Sequence, residues 1–123
     1  MKILLAILSV VVLVGCSTVA PGNDPLIVHA QQAKASYIYT ADTFLRFEYE
    51  NRNSIWKKTT EVKKIADRIR EQTPEILRLT DEAIARYKAY KMNVNQVELI
   101  DRITIITQTI ADITQVYNRA KSL

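Results

Sequence analysis

The feature that most constrains the fold is the distribution of glycine. Gly15 and Gly22 are the only two glycines in the chain, so residues 23–123 contain none. Glycine supplies the positive φ angles of two-residue hairpins and lets a backbone approach a phosphate group closely. The glycine-free part is therefore predicted to form long helices, and tight hairpins and phosphate-binding loops are disfavoured.

The first helix is predicted to open at Asp24 and Pro25, because aspartate is a good N-cap and proline fits the first helical position. Two apolar stripes follow at helical spacing, and two apolar faces need two partners, as in a three-helix packing or an oligomer. We expect this helix to fray near Asn53 and Ser54. The first stripe is Leu26, Ala30, Ala33, Tyr37, Ala41 and Phe44, and the second is Ile27, Ile38, Leu45, Tyr49 and Trp56.

The second helix is predicted to start at Thr59-Thr60-Glu61, where a threonine cap is followed by an acidic residue. Pro74 interrupts it, and Thr73-Pro74-Glu75 also fits the cap of a new helix. However, Ile69 and Ile76 are seven residues apart, so the apolar phase runs through the proline. This favours one helix kinked at Pro74 over two helices. The stripe is Val62, Ile65, Ile69, Ile76, Ala83 and Tyr87, with Tyr90 at its edge.

The third helix is predicted to start at Asn95-Gln96-Val97-Glu98, which resembles a capping box. Residues 103–107 have β-strand propensity, but the apolar positions follow the helical period over residues 99–120. The sequence thus predicts an all-α fold with three long antiparallel helices in a three-helix bundle. The third stripe is Leu99, Ile103, Ile106, Ile110, Ile113, Tyr117 and Ala120.

The N-terminus has the pattern of a secretory signal. Lys2 precedes a mostly apolar run over residues 3–14, which is too short to span a bilayer as a helix but fits a signal core. The run ends in Leu13-Val14-Gly15-Cys16, which resembles the lipobox of bacterial prolipoproteins. In that family a diacylglycerol is attached to the cysteine thiol and the chain is cleaved just before it. The resemblance covers residues 1–18, and the alternative is an uncleaved membrane anchor with an incidental Cys16.

This resemblance implies a domain organisation and a location. Residues 1–15 would be a signal peptide, residues 16–23 a tether that starts at the lipidated cysteine, and residues 24–123 the helical domain. Ser17 implies the outer membrane facing the periplasm in a Gram-negative host, because aspartate at that position retains lipoproteins in the inner membrane. The helical domain resembles only uncharacterised small lipoproteins of bacteria or phages, through residues 44–52.

Residues with catalytic or metal-binding chemistry are few. His29 is the only histidine, so a zinc site of a familiar ligand set is nearly excluded. Ser36 lies about 10 Å along a helix from His29, too far for a nucleophile and its base. Glu48 and Glu50 point to different sides of a helix, which disfavours a carboxylate pair for glycoside cleavage. We therefore predict no catalytic, metal-binding or cofactor-binding residue, and lipidation at Cys16 is the only site.

Three further groups of side chains have plain structural interpretations. Glu48 and Arg52 are predicted to form an i,i+4 salt bridge worth a few tenths of a kcal/mol. A dense basic region is predicted to be a solvated face, with a binding patch for lipid headgroups or lipopolysaccharide phosphates as the alternative. Four aromatic residues on the stripes are expected in the core, the tyrosines directing their hydroxyls to its rim. The basic residues are Lys57, Lys58, Lys63, Lys64, Arg68 and Arg70, and the aromatic residues are Tyr37, Phe44, Tyr87 and Tyr117.

The predicted function is that of a lipid-anchored, non-enzymatic envelope protein with a structural or protein-interaction role. Its expected partners are the membrane, through Cys16, and an envelope protein or a second copy of the chain, through its helices. Nucleic acid is not expected, because the signal exports the protein. The alternative is a phage- or prophage-encoded lipoprotein that modifies the host envelope, by superinfection exclusion or lysis, and a third hypothesis is an envelope enzyme or inhibitor.

Overall fold

The computed structural model describes residues 24–123, which form three long helices. Helix α1 spans Pro25–Lys58, α2 spans Glu61–Ala89 and α3 spans Asn93–Lys121. Each helix packs against the other two. This confirms the predicted all-α three-helix bundle, while the predicted signal peptide and Cys16 lie outside the described residues.

The direction of the helices follows from contacts at their ends. The Tyr87 hydroxyl, near the end of α2, donates to Asp24 at the start of α1. At the other end of the bundle, Arg119 of α3 pairs with Glu61 at the start of α2. Consecutive helices are therefore antiparallel, and α1 and α3 run in the same direction.

One apolar stripe of each helix forms the core, as the spacing predicts. Residues of all three stripes are buried, and burial of each large apolar side chain contributes roughly 1.5–3 kcal/mol. The stripe residues that are not fully buried, such as Ile103 and Ile110, pack against the edge of this core. The largest fully buried apolar side chains are Tyr37, Phe44, Val62, Leu99 and Ile106.

The two partners predicted for α1 are found, since it packs against both α2 and α3, but its second stripe is only partly covered. Ile38, Tyr49 and Trp56 are exposed, and Ile27 and Leu45 are only half-buried. Two neighbouring helices cover one broad face of α1, and the second stripe lies at the margin of that face. An apolar surface is thus left uncovered along the outside of α1.

The predicted end of α1 is wrong, whereas the predicted start of α2 is correct. Helix α1 continues through Asn53 and Ser54 to Lys58, because Ile55 is buried and holds the last turns against the core. Helix α2 starts at Glu61 as predicted, but its N-cap, Thr60, makes no side-chain capping bond, and the Thr59 hydroxyl instead accepts a hydrogen bond from the Glu61 N–H at 3.1 Å.

The predicted capping box of α3 does not form. Helix α3 starts earlier, at Asn93, with Met92 as an N-cap that makes no side-chain bond. The Asn95 side chain instead donates to the Tyr90 carbonyl at 2.7 Å, and Glu98 pairs with Arg86. Both polar side chains therefore stabilise the end of α2, across a short connection, rather than the start of their own helix.

Helix α2 runs through Pro74 without a break. A proline has no N–H to donate, so one backbone bond of the helix is lost there. The Thr73 hydroxyl donates to the Ile69 carbonyl at 2.5 Å, and Tyr37 of α1 donates to Thr73 at 2.7 Å. The single helix predicted from the continuous phase is confirmed, and the kink itself stays a prediction.

Two adjacent isoleucines of α3 test the buried stripe. Ile106 is fully buried and Ile105 is exposed. We expect Ile106→Asp to lower the free energy of unfolding by about 4 kcal/mol or more, because it buries an unpaired charge. The matched control Ile105→Asp should change it by less than about 0.5 kcal/mol. Thermal unfolding followed by circular dichroism measures both, and equal melting temperatures would contradict the assigned core.

Candidate functional site

The most distinctive side-chain cluster surrounds a buried carboxylate between α1 and α2. Glu48 is 0% exposed. Its carboxylate accepts two hydrogen bonds from Arg52, at 3.2 and 3.1 Å, and one from Arg70 of α2 at 2.9 Å. Arg70 also donates to Asp67 at 3.4 Å. We call these four residues the Glu48 cluster.

The electrostatics of the cluster keep Glu48 ionised. Burial of the carboxyl group raises its pKa, but the hydrogen bonds and positive charges of Arg52 and Arg70 outweigh burial. The pKa of Glu48 therefore lies below its ordinary value. The hydrogen bond to Glu48 in turn raises the pKa of Arg52. At neutral pH, Glu48 is a fixed negative charge that orients two guanidinium groups, and it has no proton to donate.

The heptad pattern of α1 explains why a glutamate is buried. Glu48 follows Phe44 by four residues and precedes Ile55 by seven, so it lies on the stripe that packs into the core. The predicted Glu48–Arg52 pair is confirmed, but the burial of Glu48 and its second partner, Arg70, were not predicted. Extension of the first stripe beyond Phe44 would have revealed the burial.

A surface of aromatic and cationic side chains lies next to the cluster. The Arg52 guanidinium stands 4.9 Å from the centre of the Trp56 ring and 5.6 Å from that of Tyr49. The Lys63 ammonium lies 5.6 Å from the Trp56 ring. Tyr49 is 73% exposed, and Ile38 extends the surface along α1. We call Ile38, Tyr49, Arg52, Trp56 and Lys63 the aromatic face.

Aromatic and arginine side chains at a surface are typical of protein-binding hot spots. A cation over an aromatic ring contributes roughly 0.5–1 kcal/mol at an exposed position. Because Glu48 holds Arg52 from beneath, Tyr49 and Trp56 pack against a fixed guanidinium and not against a freely rotating one. The aromatic face is thus pre-organised, which reduces the entropy lost when a partner binds.

The other residues considered from the sequence are not brought together. His29 is exposed, Ser36 is half-buried, and no group of three potential metal ligands occurs in residues 24–123. Glu50 is exposed whereas Glu48 is buried, so the two carboxylates do point to different sides as predicted. A cleft of about 60 Å³ beside Tyr37 is far smaller than the roughly 300 Å³ of small-molecule sites.

The basic region is exposed and the four aromatic side chains are buried or half-buried, as the sequence predicts, but the hydroxyl of Tyr37 does not reach the rim, because that residue is 0% exposed and bonds to Thr73. All six basic side chains are exposed, and Lys63 pairs with Asp67 at 3.0 Å. Binding of lipid headgroups or lipopolysaccharide by this region stays an alternative hypothesis. Tyr37, Phe44 and Tyr87 are buried, and Tyr117 is half-buried with its ring 5.1 Å from Phe47.

Comparisons with known proteins do not assign a family. No protein-family model matches the sequence, and neither the curated proteins nor the solved structures contain a significant match. Among the described helices, none is long and apolar enough to cross a membrane.

Replacement of the buried carboxylate tests the Glu48 cluster. We expect Glu48→Gln to lower the free energy of unfolding by about 3 kcal/mol, because it removes one partner of a buried ion pair. This is the lower end of the usual range, since the two guanidinium groups left behind are partly exposed and can be solvated. The control Glu50→Gln removes the same charge from an exposed position and should have an effect within about 0.5 kcal/mol. Urea denaturation at pH 7 compares the variants.

The same comparison made as a function of pH checks the sign of the pKa shift. A carboxyl group whose pKa is lowered by folding contributes stability that is complete above its unfolded pKa and is lost as the pH falls through its folded pKa. The stability gap between the wild type and Glu48→Gln should therefore narrow below about pH 4.5. A gap that widens on acidification would contradict the assignment of Glu48 as an ionised, paired residue.

Proposed function

We propose that this protein is a lipid-anchored, non-enzymatic component of the cell envelope that binds a protein partner through its aromatic face. The observation that carries the binding role is an apolar and aromatic stripe that remains exposed after all three core stripes are buried. The anchor is supported by Leu13-Val14-Gly15-Cys16, which stands at the end of an apolar run of signal-peptide length.

The chemistry of the aromatic face favours an acidic protein partner. Its apolar area comes from Ile38, Tyr49 and Trp56, and its charges, from Arg52 and Lys63, are positive. Basic residues of the region 57–70 surround it. A second copy of the chain would bring the same positive charges to the interface and be repelled. An envelope protein with an apolar groove and an acidic rim is the better complement.

The polar groups of the site support binding rather than catalysis. Both oxygens of the Glu48 carboxylate are occupied by guanidinium donors, which leaves a strongly held anion in place of a proton donor or acceptor. The hydroxyls of Tyr37 and Tyr87 are likewise bound to Thr73 and Asp24. These groups fix the shape of the surface, and the exposed rings are left to make the contact.

The anchor is tested at the cysteine. We expect Cys16→Ala to abolish incorporation of a labelled fatty acid and to leave the precursor uncleaved, because the thiol is the group that is acylated. The control Ser17→Ala changes the next residue and should mature normally. Metabolic labelling followed by gel electrophoresis measures both effects, and unchanged maturation of Cys16→Ala would exclude the anchor.

The partner surface is tested by photo-cross-linking in the native envelope. A photoreactive phenylalanine analogue at Tyr49 should yield one discrete adduct, identified by mass spectrometry, that disappears in the Trp56→Ala background. The same analogue at Tyr39, an exposed tyrosine on another side of α1, is the matched control. Identical adducts from both positions, or none from position 49, would contradict the proposed face, and an adduct of twice the chain mass would indicate self-association.

A further inference from the structure

The two ends of the bundle differ in chemistry. At one end, the connection between α2 and α3 and the first turns of α3 expose four large apolar side chains within eight residues. Tyr90 is 69% exposed, Met92 59%, Val94 65% and Val97 49%. We call these four residues the apolar tip. At the opposite end, the connection between α1 and α2 is polar, with the sequence Lys57-Lys58-Thr59-Thr60-Glu61.

The chain enters the domain at the apolar tip. Asp24, the N-cap of α1, accepts a hydrogen bond from the Tyr87 hydroxyl at 2.9 Å and pairs with Lys91 at 3.1 Å. Residue 24 therefore lies beside the connection that carries the apolar tip. The segment that joins it to Cys16 also arrives at this end of the bundle, whatever the conformation of that segment.

The length of that segment limits where the domain can stand. Cys16 and Asp24 are eight residues apart, so their Cα atoms cannot be more than about 29 Å apart. Helix α1 has 34 residues and is about 51 Å long. A lipid on Cys16 thus keeps the apolar tip near the bilayer, while the polar end can lie well outside its reach.

The composition of the apolar tip suits the boundary between headgroups and acyl chains. Tyrosine is enriched at that depth, and lysine side chains extend from it towards the anionic headgroups. Lys88 lies just before the connection and Lys91 within it, and both are exposed. Beneath it, Ala83, Ile84 and Leu99 form a packed cluster that holds the connection against the bundle.

We propose that the apolar tip is a bilayer-contact surface, and that the domain stands end-on with Tyr90, Met92 and Val94 in the membrane interface. This inference rests on the proposed lipid anchor at Cys16. The apolar tip turns a single point of attachment into two, so it limits how the domain tilts and points the far end away from the membrane.

Tryptophan quenching tests the orientation. Trp56 is the only tryptophan and lies about 46 Å along α1 from its start, so the native chain carries its own control. The full acylated chain is reconstituted in phosphatidylethanolamine–phosphatidylglycerol vesicles with brominated acyl chains, which quench indole fluorescence. The Trp56→Phe/Val94→Trp variant should lose most of its emission and shift to the blue. Native Trp56 should change little, and circular dichroism confirms that both proteins are folded.

Each other outcome overturns the proposal in a recognisable way. Quenching of both indoles means that the domain lies flat. Quenching of neither means that the tip stays in water, and a blue shift without vesicles means that a protein or a second copy covers it. Fatty-acid labelling of the same preparation reports on Cys16 separately. A protein that is labelled but not quenched contradicts the bilayer contact of the apolar tip and is consistent with lipidation of Cys16. A protein that is quenched but not labelled contradicts lipidation of Cys16 and is consistent with the bilayer contact.

Discussion

Mutual burial of one apolar stripe per helix is the constraint on which this structure depends. Within residues 24–123, each helix packs against the other two, and each covers its stripe with theirs. This arrangement decides what is left outside. Once the stripes of α2 and α3 occupy one side of α1, Tyr49 and Trp56 remain in solvent. The exposed surfaces that we propose as contact sites are therefore a consequence of the core geometry.

Glu48 is the one charged residue among the described core positions, and its contribution is geometric. A buried ion pair adds little net stability relative to an apolar side chain of similar volume, because desolvation offsets the attraction. Loss of one partner is costly all the same. The pair with Arg70 joins α1 to α2, and the pair with Arg52 holds the guanidinium against the two exposed rings. The Glu48 carboxylate thus both links two helices of the bundle and fixes the position of a surface side chain.

The parts of the fold that depend on local sequence could be predicted, and those that depend on contacts between helices could not. The periodicity of apolar residues predicted the buried stripes and the continuation of α2 beyond Pro74. The residue type of Asp24 predicted that it caps α1. The partner of Glu48 that the sequence analysis missed lies on another helix, 22 residues away. The sequence around Asn95 is that of an N-cap, but the Asn95 side chain donates to the carbonyl of Tyr90 across the connection instead of capping its own helix. Periodicity also shows that a face is apolar without showing whether anything covers it.

The proposed orientation bears on how the basic region is interpreted. Its residues, 57–70, lie at the end of α1 and the start of α2, where Lys58 donates to the carbonyl of Leu123 at 3.2 Å. With the apolar tip in the bilayer, these residues stand between about 28 Å (Arg70) and about 50 Å (Lys58) from the interface along their helices, roughly three times or more the 8–10 Å over which salt screens charges. Its positive charge then has no influence on the lipid that holds the anchor. It surrounds the aromatic face instead, where it would speed association with an acidic partner. End-on anchoring and headgroup binding by this region on the same membrane are mutually exclusive.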